Sequence, residues 1–294
     1  MPSPRFMPEP RVALVVPSLR GDAPELEADA REQTRPPDEV IVVAGVRPNG
    51  RARNEGVRRS AADILVFVDD DARLGDARVI EHLVRPLIED ATIGVTGSAK
   101  LLPPDAPAFQ RRVAREVPRI EHAVVAEPLE SDPPLEGFGL SEITTTCAAM
   151  RREVWERVGG FDETLVRSVD PEFFRRVRVL GYRFVLVPDT WVWHPAPANF
   201  GALMRKQFLY GIGHAQDVKM SPGLVGAFAL RTPLHAIAYL LLRTLWLVPS
   251  VFVAWSLSVA GSRPRPAFRP LGALASYASG LGYVWGWYGR PPSE

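Results

Sequence analysis

The apolar positions of this chain gather into short dense runs separated by amphipathic stretches. Val12-Ala13-Leu14-Val15-Val16, Val40-Ile41-Val42-Val43 and Ile64-Leu65-Val66-Phe67-Val68 are continuous runs of strand length, the pattern of strands buried on both faces. Between them, residues 25–33 and 52–62 carry helix formers and few breakers. Asp76 opens a further helix with an apolar stripe of Val79, Leu83, Val84, Leu87 and Ile88, and residues 93–96 read as another strand. This alternation predicts parallel βα units. Residues 101–138 break the pattern with prolines and scattered charges around one helix near 109–116, which predicts a loop region over the site. Regularity returns with a strand at 143–150 and a helix at 152–158 stopped by Gly159-Gly160. Asp170-Pro171 then opens a helix with Phe173, Phe174, Val177 and Leu180 on one face and Gly181 at its end, and a strand follows at 184–187.

The tail has a different texture. The run 244–260 carries no charge, and neither does 271–289, which is rich in Gly, Tyr and Trp. Such runs predict a hydrophobic helical region over 221–294 that associates with a membrane. Arg263, Arg265 and Arg269 lie between the two runs, and a simple two-span hairpin would export them. Either a further span lies within 224–242, or one segment lies in the interface plane; a soluble helical subdomain is the alternative.

Composition narrows the class. With 46% hydrophobic and 23% charged residues among 294, the chain can bury a sizeable core. A net charge of +1 supplies no basic field for nucleic acid. Cys147 is the single cysteine, which excludes an internal disulfide and a multi-cysteine zinc site and suits a reducing setting. Residues 1–10 are proline-rich and lack a long apolar stretch, so they read as a flexible arm before a domain at 11–220.

Candidate chemistry sits where the third strand ends. Asp69 and Asp71 follow Val68 at i and i+2, just beyond a strand's carboxyl end, where open α/β sheets bind ligands. Two carboxylates so placed can hold one hard cation, Mg²⁺ or Mn²⁺, between the protein and a diphosphate. Solvated loop acids or helix caps are the plainer reading. Asp170 has the same two faces, as the cap of an ordinary helix start or as a base.

Taken in order, Val15-Val16-Pro17, the strand at 40–43, Ala52-Arg53-Asn54-Glu55-Gly56, Asp69-Asp70-Asp71, Gly159-Gly160-Phe161-Asp162-Glu163, and Asp170-x-Glu172 with Arg175 and Gly181-Tyr182 resemble glycosyltransferase family 2 over about residues 11–215. Members are inverting enzymes with a GT-A fold. The resemblance implies a Rossmann-like α/β domain with a mixed, mostly parallel sheet flanked by helices, to which this chain adds C-terminal hydrophobic helices. It implies Asp69 and Asp71 as the metal pair, joined by His194, and Asp170 as the catalytic base, with Glu172 orienting the acceptor or a neighbouring base. Pro17, Ser18, Arg53, Asn54, Asp69, Asp70 and Arg205 become donor-binding positions. The implied reaction moves a sugar from a nucleotide-diphospho-sugar to a hydroxyl of a lipid-linked or envelope-glycan acceptor, at the cytoplasmic face of the cell membrane. Ala44-Gly45 stands where the family usually carries an acid that reads the nucleotide base, so the base is not legible, nor is the oligomeric state. The alternatives are a sugar nucleotidyltransferase, for which Pro17-Ser18-Leu19-Arg20-Gly21 is a poor phosphate loop, and a membrane-bound scaffold with a decayed site.

Overall fold

A computed structural model describes residues 9–131, 143–221, 223, 228–252 and 266–289. Eight strands form one sheet: β1 (Val12–Ser18), β2 (Glu39–Ala44), β3 (Ile64–Val68), β4 (Arg73–Leu74), β5 (Ile93–Leu101), β6 (Leu129–Ser131), β7 (Cys147–Arg151) and β8 (Arg183–Trp193). Their order is β2-β1-β3-β7-β5-β8-β4, with β6 alongside β8. The pairs β1–β2, β1–β3 and β5–β8 are parallel, whereas β7 enters antiparallel between β3 and β5.

Strand alternation sorts the core into two layers. Leu14, Val16, Val66 and Val68 pack against Leu26 of helix α1 (Pro24–Arg31) and Ile80 and Leu83 of α3 (Val79–Glu89). Val15, Leu65 and Phe67 point the other way, onto Val57 of α2 (Asn49–Arg58), Val154 of α5 (Arg152–Val158) and Phe173 of α6 (Val169–Val179). Phe161 lies edge-on to Phe67 at 5.3 Å and stacks on Phe173 at 4.2 Å, joining the loop after α5 to this second layer.

Three departures from the sequence reading bear on the site. β5 runs on past Thr96 through Gly97-Ser98-Ala99-Lys100 to Leu101, because β8 pairs with it throughout. β8 does not stop at Pro188: the register jumps from Gly97↔Leu186 to Ala99↔Trp191, so the intervening residues bulge out around Asp189, at φ 48°, and the strand resumes through Trp193. α6 begins at Val169, with Ser168 at φ 63° in the cap position. Residues 1–8, residues 132–142 of the loop region, and Arg263 and Arg265 lie outside the described residues.

Beyond β8 the chain forms a helical layer of α7 (Phe200–Met220), α8 (Pro233–Phe252) and α9 (Pro270–Tyr288), against which α4 (Ala108–Glu116) also packs. α9 runs beside α7 in the same direction at backbone contact: a Cβ on Gly282 would collide with the carbonyl oxygen of Phe208, and one on Gly211 with that of Ser279. The ends of α9 are held by side chains of α4 and α7. Glu116 accepts a 2.6 Å hydrogen bond from the Leu271 N–H, and Lys219 donates to the carbonyls of Gly286 and Trp287 at 2.8 and 3.1 Å. The uncharged run expected to meet lipid at 271–289 is thus largely a packed helix, with Ala273, Ala275 and Tyr283 buried. α8 is different. It is the one described helix long and apolar enough to cross a membrane, with mean hydropathy 1.5 and 11% of its apolar window buried. The remainder of the run at 244–260, from 253 onward, is outside the described residues.

Candidate active site

The carboxyl ends of β1, β3, β5 and β8 meet the starts of β7 and α6 at one edge of the sheet. Asp69 and Asp71 leave β3 there. Immediately after them β4 pairs antiparallel with the end of β8, Arg73 opposite Trp193 and Leu74 opposite Val192. That pairing brings His194, the next residue of β8's path, beside Asp71, with its ring Nε2 3.3 Å from the carboxylate. One ligand atom each from Asp69, Asp71 and His194 lie within 4.8 Å of one another. Two carboxylate oxygens and one imidazole nitrogen on converging segments suit a hard divalent cation such as Mn²⁺ or Mg²⁺. Burial pushes the Asp71 carboxyl up, but the His194 hydrogen bond and the charges of His194 and Lys206 outweigh it and hold the group below the usual range.

Asp70 faces the other way. Its carboxylate accepts from the Ser18 hydroxyl at 2.7 Å, and the same Ser18 oxygen accepts from the Gly21 N–H at 3.1 Å. Burial raises the Asp70 carboxyl, with the charges of Asp71 and Asp69 adding to it against the Ser18 bond. This pair fastens the turn after β1 to the acid cluster. Pro17 lies inside β1, opposite Val43.

Arg53 is the hub of the site. It is buried on α2, donates to Asp69 at 2.9 Å, approaches Asp170 at 3.9 Å, and rests over the Phe161 ring at 5.9 Å. A buried guanidinium is retained only with compensating charge, and here two carboxylates from different elements supply it. Asp170 accepts from the Thr145 N–H at 3.1 Å and from its hydroxyl at 2.5 Å. No side chain caps α6, so the Asp170 carboxylate is turned toward the site and away from its own helix start. Glu172, two residues on, lies on the far side of α6. Both its oxygens take the Arg176 guanidinium, at 2.6 and 2.8 Å, and Arg176 in turn holds the carbonyls of Val158 and Gly160. Asn54 spends its amide on the Gly159–Glu163 loop, bonding Phe161 N and O and the Glu163 carboxylate. The structure therefore brings Asp69, Asp71, His194, Asp170 and Arg53 together, with Ser18 and Asp70 at the rim, and places Glu172 and Asn54 in supporting packing. Arg205 is exposed on α7.

A family profile described as "Glycosyltransferase like family 2" matches residues 5–208, more than half of the chain. The chain belongs to this family. Among curated relatives, it is 26% identical over 154 residues to an O-antigen biosynthesis protein of Myxococcus xanthus, covering 50% of this chain and 12% of that one. It is 27% identical over 150 residues to a succinoglycan biosynthesis protein of Rhizobium meliloti (strain 1021), covering 48% and 46%. The chain therefore matches less than half the length of either relative. A mannosyltransferase from Pyrobaculum calidifontis, solved with GDP-Man and Mn²⁺, superposes with a TM-score of 0.57 at 20% identity, over 96% of this chain and 88% of that one. At that identity the likeness establishes the shared GT-A-like fold.

Two residues beside the site of this family 2 chain, Thr145 and Lys100, escaped sequence reasoning. Thr145, which holds Asp170, sat in a polar Thr144-Thr145-Thr146 run ahead of a strand, a visible signal left unused. Lys206, next to Arg205, is the α7 cation whose charge reaches Asp71. Lys100 had no signal, because Gly97-Ser98-Ala99-Lys100 has little strand propensity. Burial lowers its ammonium to about 8, with Lys206 and Arg119 pushing the same way and Asp69 and Asp170 opposing.

Proposed function

We propose that this chain is an inverting, metal-assisted glycosyltransferase that moves a sugar from a nucleotide-diphospho-sugar to a hydroxyl of a lipid-linked or envelope-glycan acceptor at the cytoplasmic face of the membrane. The observation that carries the reading is the placing of Asp170 beside the Asp69–Asp71–His194 cluster, with buried Arg53 spanning the two. A divalent cation held by Asp69, Asp71 and His194 supplies charge for the departing nucleotide diphosphate. Asp170 takes the acceptor hydroxyl's proton. The hydroxyl oxygen then bonds to the anomeric carbon from the face opposite the diphosphate, and the electron pair of the breaking bond leaves with the phosphate. Thr145 and Arg53 fix the Asp170 carboxylate in the orientation this needs.

The similar mannosyltransferase was solved with GDP-Man and Mn²⁺, and the curated relatives are polysaccharide biosynthesis proteins. Both support a nucleotide-sugar donor and a glycan acceptor. The exposed apolar face of α8 supports membrane attachment. The deciding experiment is calorimetry with Mn²⁺ and a panel of nucleoside diphosphates and nucleotide sugars. Metal-dependent binding to the wild-type chain, lost in Asp69→Asn and Asp71→Asn with the fold intact by circular dichroism, is expected. Equal affinity in wild type and both variants removes the metal-centre assignment.

A further inference from the structure

α8 is long and apolar enough to cross a bilayer, yet the way it is fastened argues against crossing. One narrow side holds it to α9. Tyr239 meets Tyr283 at 5.6 Å between ring centres, Arg243 and Thr244 bond Ser276 and Tyr277 at 2.8 and 3.0 Å, and the Val251 carbonyl accepts from the Arg269 N–H at 2.9 Å. These contacts run antiparallel along α9, which itself lies at backbone contact on α7. α7 belongs to the catalytic domain: its buried Asp217 takes the Arg175 guanidinium of α6, and its Gln216 accepts from the Val166 N–H at 3.1 Å. If α8 stood across a bilayer, α9 and α7 would stand there too. Arg205, Lys206, Asp217 and Lys219 of α7 would then enter hydrocarbon, at about 2.5–3.5 kcal/mol for each charge at the centre.

Opposite the α9 seam, Leu234, Ala238, Leu241, Leu245, Val248 and Phe252 recur every three or four residues, and all are exposed. They form one apolar stripe along the helix. Charge decides what covers it. From Val218 to Ser293 the chain carries seven Lys and Arg residues and not one Asp or Glu, although the rest of the chain has more acids than bases. Arg231 precedes α8, and Arg263 and Arg265 follow it in sequence, so cations flank the stripe at both ends. A second copy seated stripe to stripe would set cations against cations whichever way it ran. An anionic bilayer attracts both ends, by about 1 kcal/mol for each Lys or Arg at its surface, whereas a crossing helix would leave only one end on the cytoplasmic face.

We propose that α8 is an in-plane docking helix for an anionic phospholipid bilayer. Its stripe sinks to the boundary of headgroups and acyl chains, while α9, α7 and both ends of α8 stay on the side of the catalytic domain. The inference rests on the membrane attachment in the reading above and adds how that attachment is made.

The test uses the full chain in sealed, everted membrane vesicles of the expression host, with a membrane-impermeant maleimide. Thr232→Cys and Ala267→Cys place a thiol beyond each end of α8 at exposed positions; Cys147 is buried, so the unsubstituted chain is the blank. Both thiols should react from outside without detergent, and neither should react in right-side-out vesicles. One end protected until the vesicles are permeabilised means that α8 crosses, which overturns the in-plane assignment and leaves membrane attachment standing. A chain absent from the membrane fraction sinks both, and a dimer by light scattering that Leu241→Glu with Leu245→Glu dissolves would give the stripe to a second copy. In flotation, the purified chain should bind phosphatidylglycerol-containing vesicles about tenfold or more tightly than pure phosphatidylcholine ones, with the difference shrinking in high salt. Equal binding to the two removes the anionic surface from the proposal.

Discussion

At the scale of single residues, the site is organised by where charge is buried. Asp170→Asn keeps the shape and the Thr145 contact but cannot take a proton, so transfer should fall by about 10²–10⁴-fold while donor affinity, measured by calorimetry, stays near that of wild type. Near-normal turnover would return Asp170 to a purely structural role. Lys100 makes a converse prediction, because its own burial works against folding. Its folded pKa of about 8 lies below the ordinary 10.5, so between those values the unfolded chain binds more protons and stability rises with pH. The groups facing it are Lys206 of α7, Arg119, Asp69 and Asp170. Lys100→Met removes the penalty and should raise the melting temperature at neutral pH, by on the order of 1–3 kcal/mol of stability. A lower melting temperature would show that the ammonium is already satisfied in the fold.

At the scale of elements, the decisive contact is between α7 and α9. Gly→Ala in an exposed helix stabilises by about 1 kcal/mol, yet at Gly282 the added methyl meets the Phe208 carbonyl directly, so the helices must separate. Gly282→Ala should therefore destabilise by about 1–3 kcal/mol, visible as a lower midpoint in thermal or urea unfolding; an unchanged or higher midpoint would mean that the two helices are not in backbone contact. The same contact explains why an uncharged run is a poor guide by itself. Residues 271–289 read like a lipid-facing segment, but their glycines and alanines serve close helix packing, and Glu116 and Lys219 hold the two ends. Composition cannot separate these uses, since both ask for small apolar residues.

At the scale of the whole molecule, a sheet covered on both faces is followed by a helical layer whose member α8 carries an exposed apolar face. Leu234, Leu241, Leu242, Leu245 and Val248 of α8 are each at least 60% exposed. Arg243, the helix's one charged residue apart from a titratable His235, is turned inward and bonds Tyr239 and Ser276 at 3.1 and 2.8 Å. A face so cleared of charge fits lipid. Leu241→Glu with Leu245→Glu should abolish co-flotation with liposomes and leave Mn²⁺-dependent nucleotide binding unchanged. Persistent flotation of the double variant would move the membrane contact elsewhere.

The succession of strands and helices apart from β4 and β6, the two-sided burial of β3 and the acids at its end were legible in the sequence, because hydrophobic period and strand-end chemistry are local properties. The family resemblance singled out Asp170 and His194 by the same local motifs. Tertiary structure alone decided the rest. That the Asp170 carboxylate is held by Thr145 and faces Arg53 emerges only when those residues arrive from other elements. His194 meets Asp71 through the pairing of β4 with β8. Lys100 enters the site because a stretch of weak strand propensity is held extended by its neighbours β7 and β8. Such contacts depend on which segments the sheet brings side by side, and no residue carries that information in its own sequence neighbourhood.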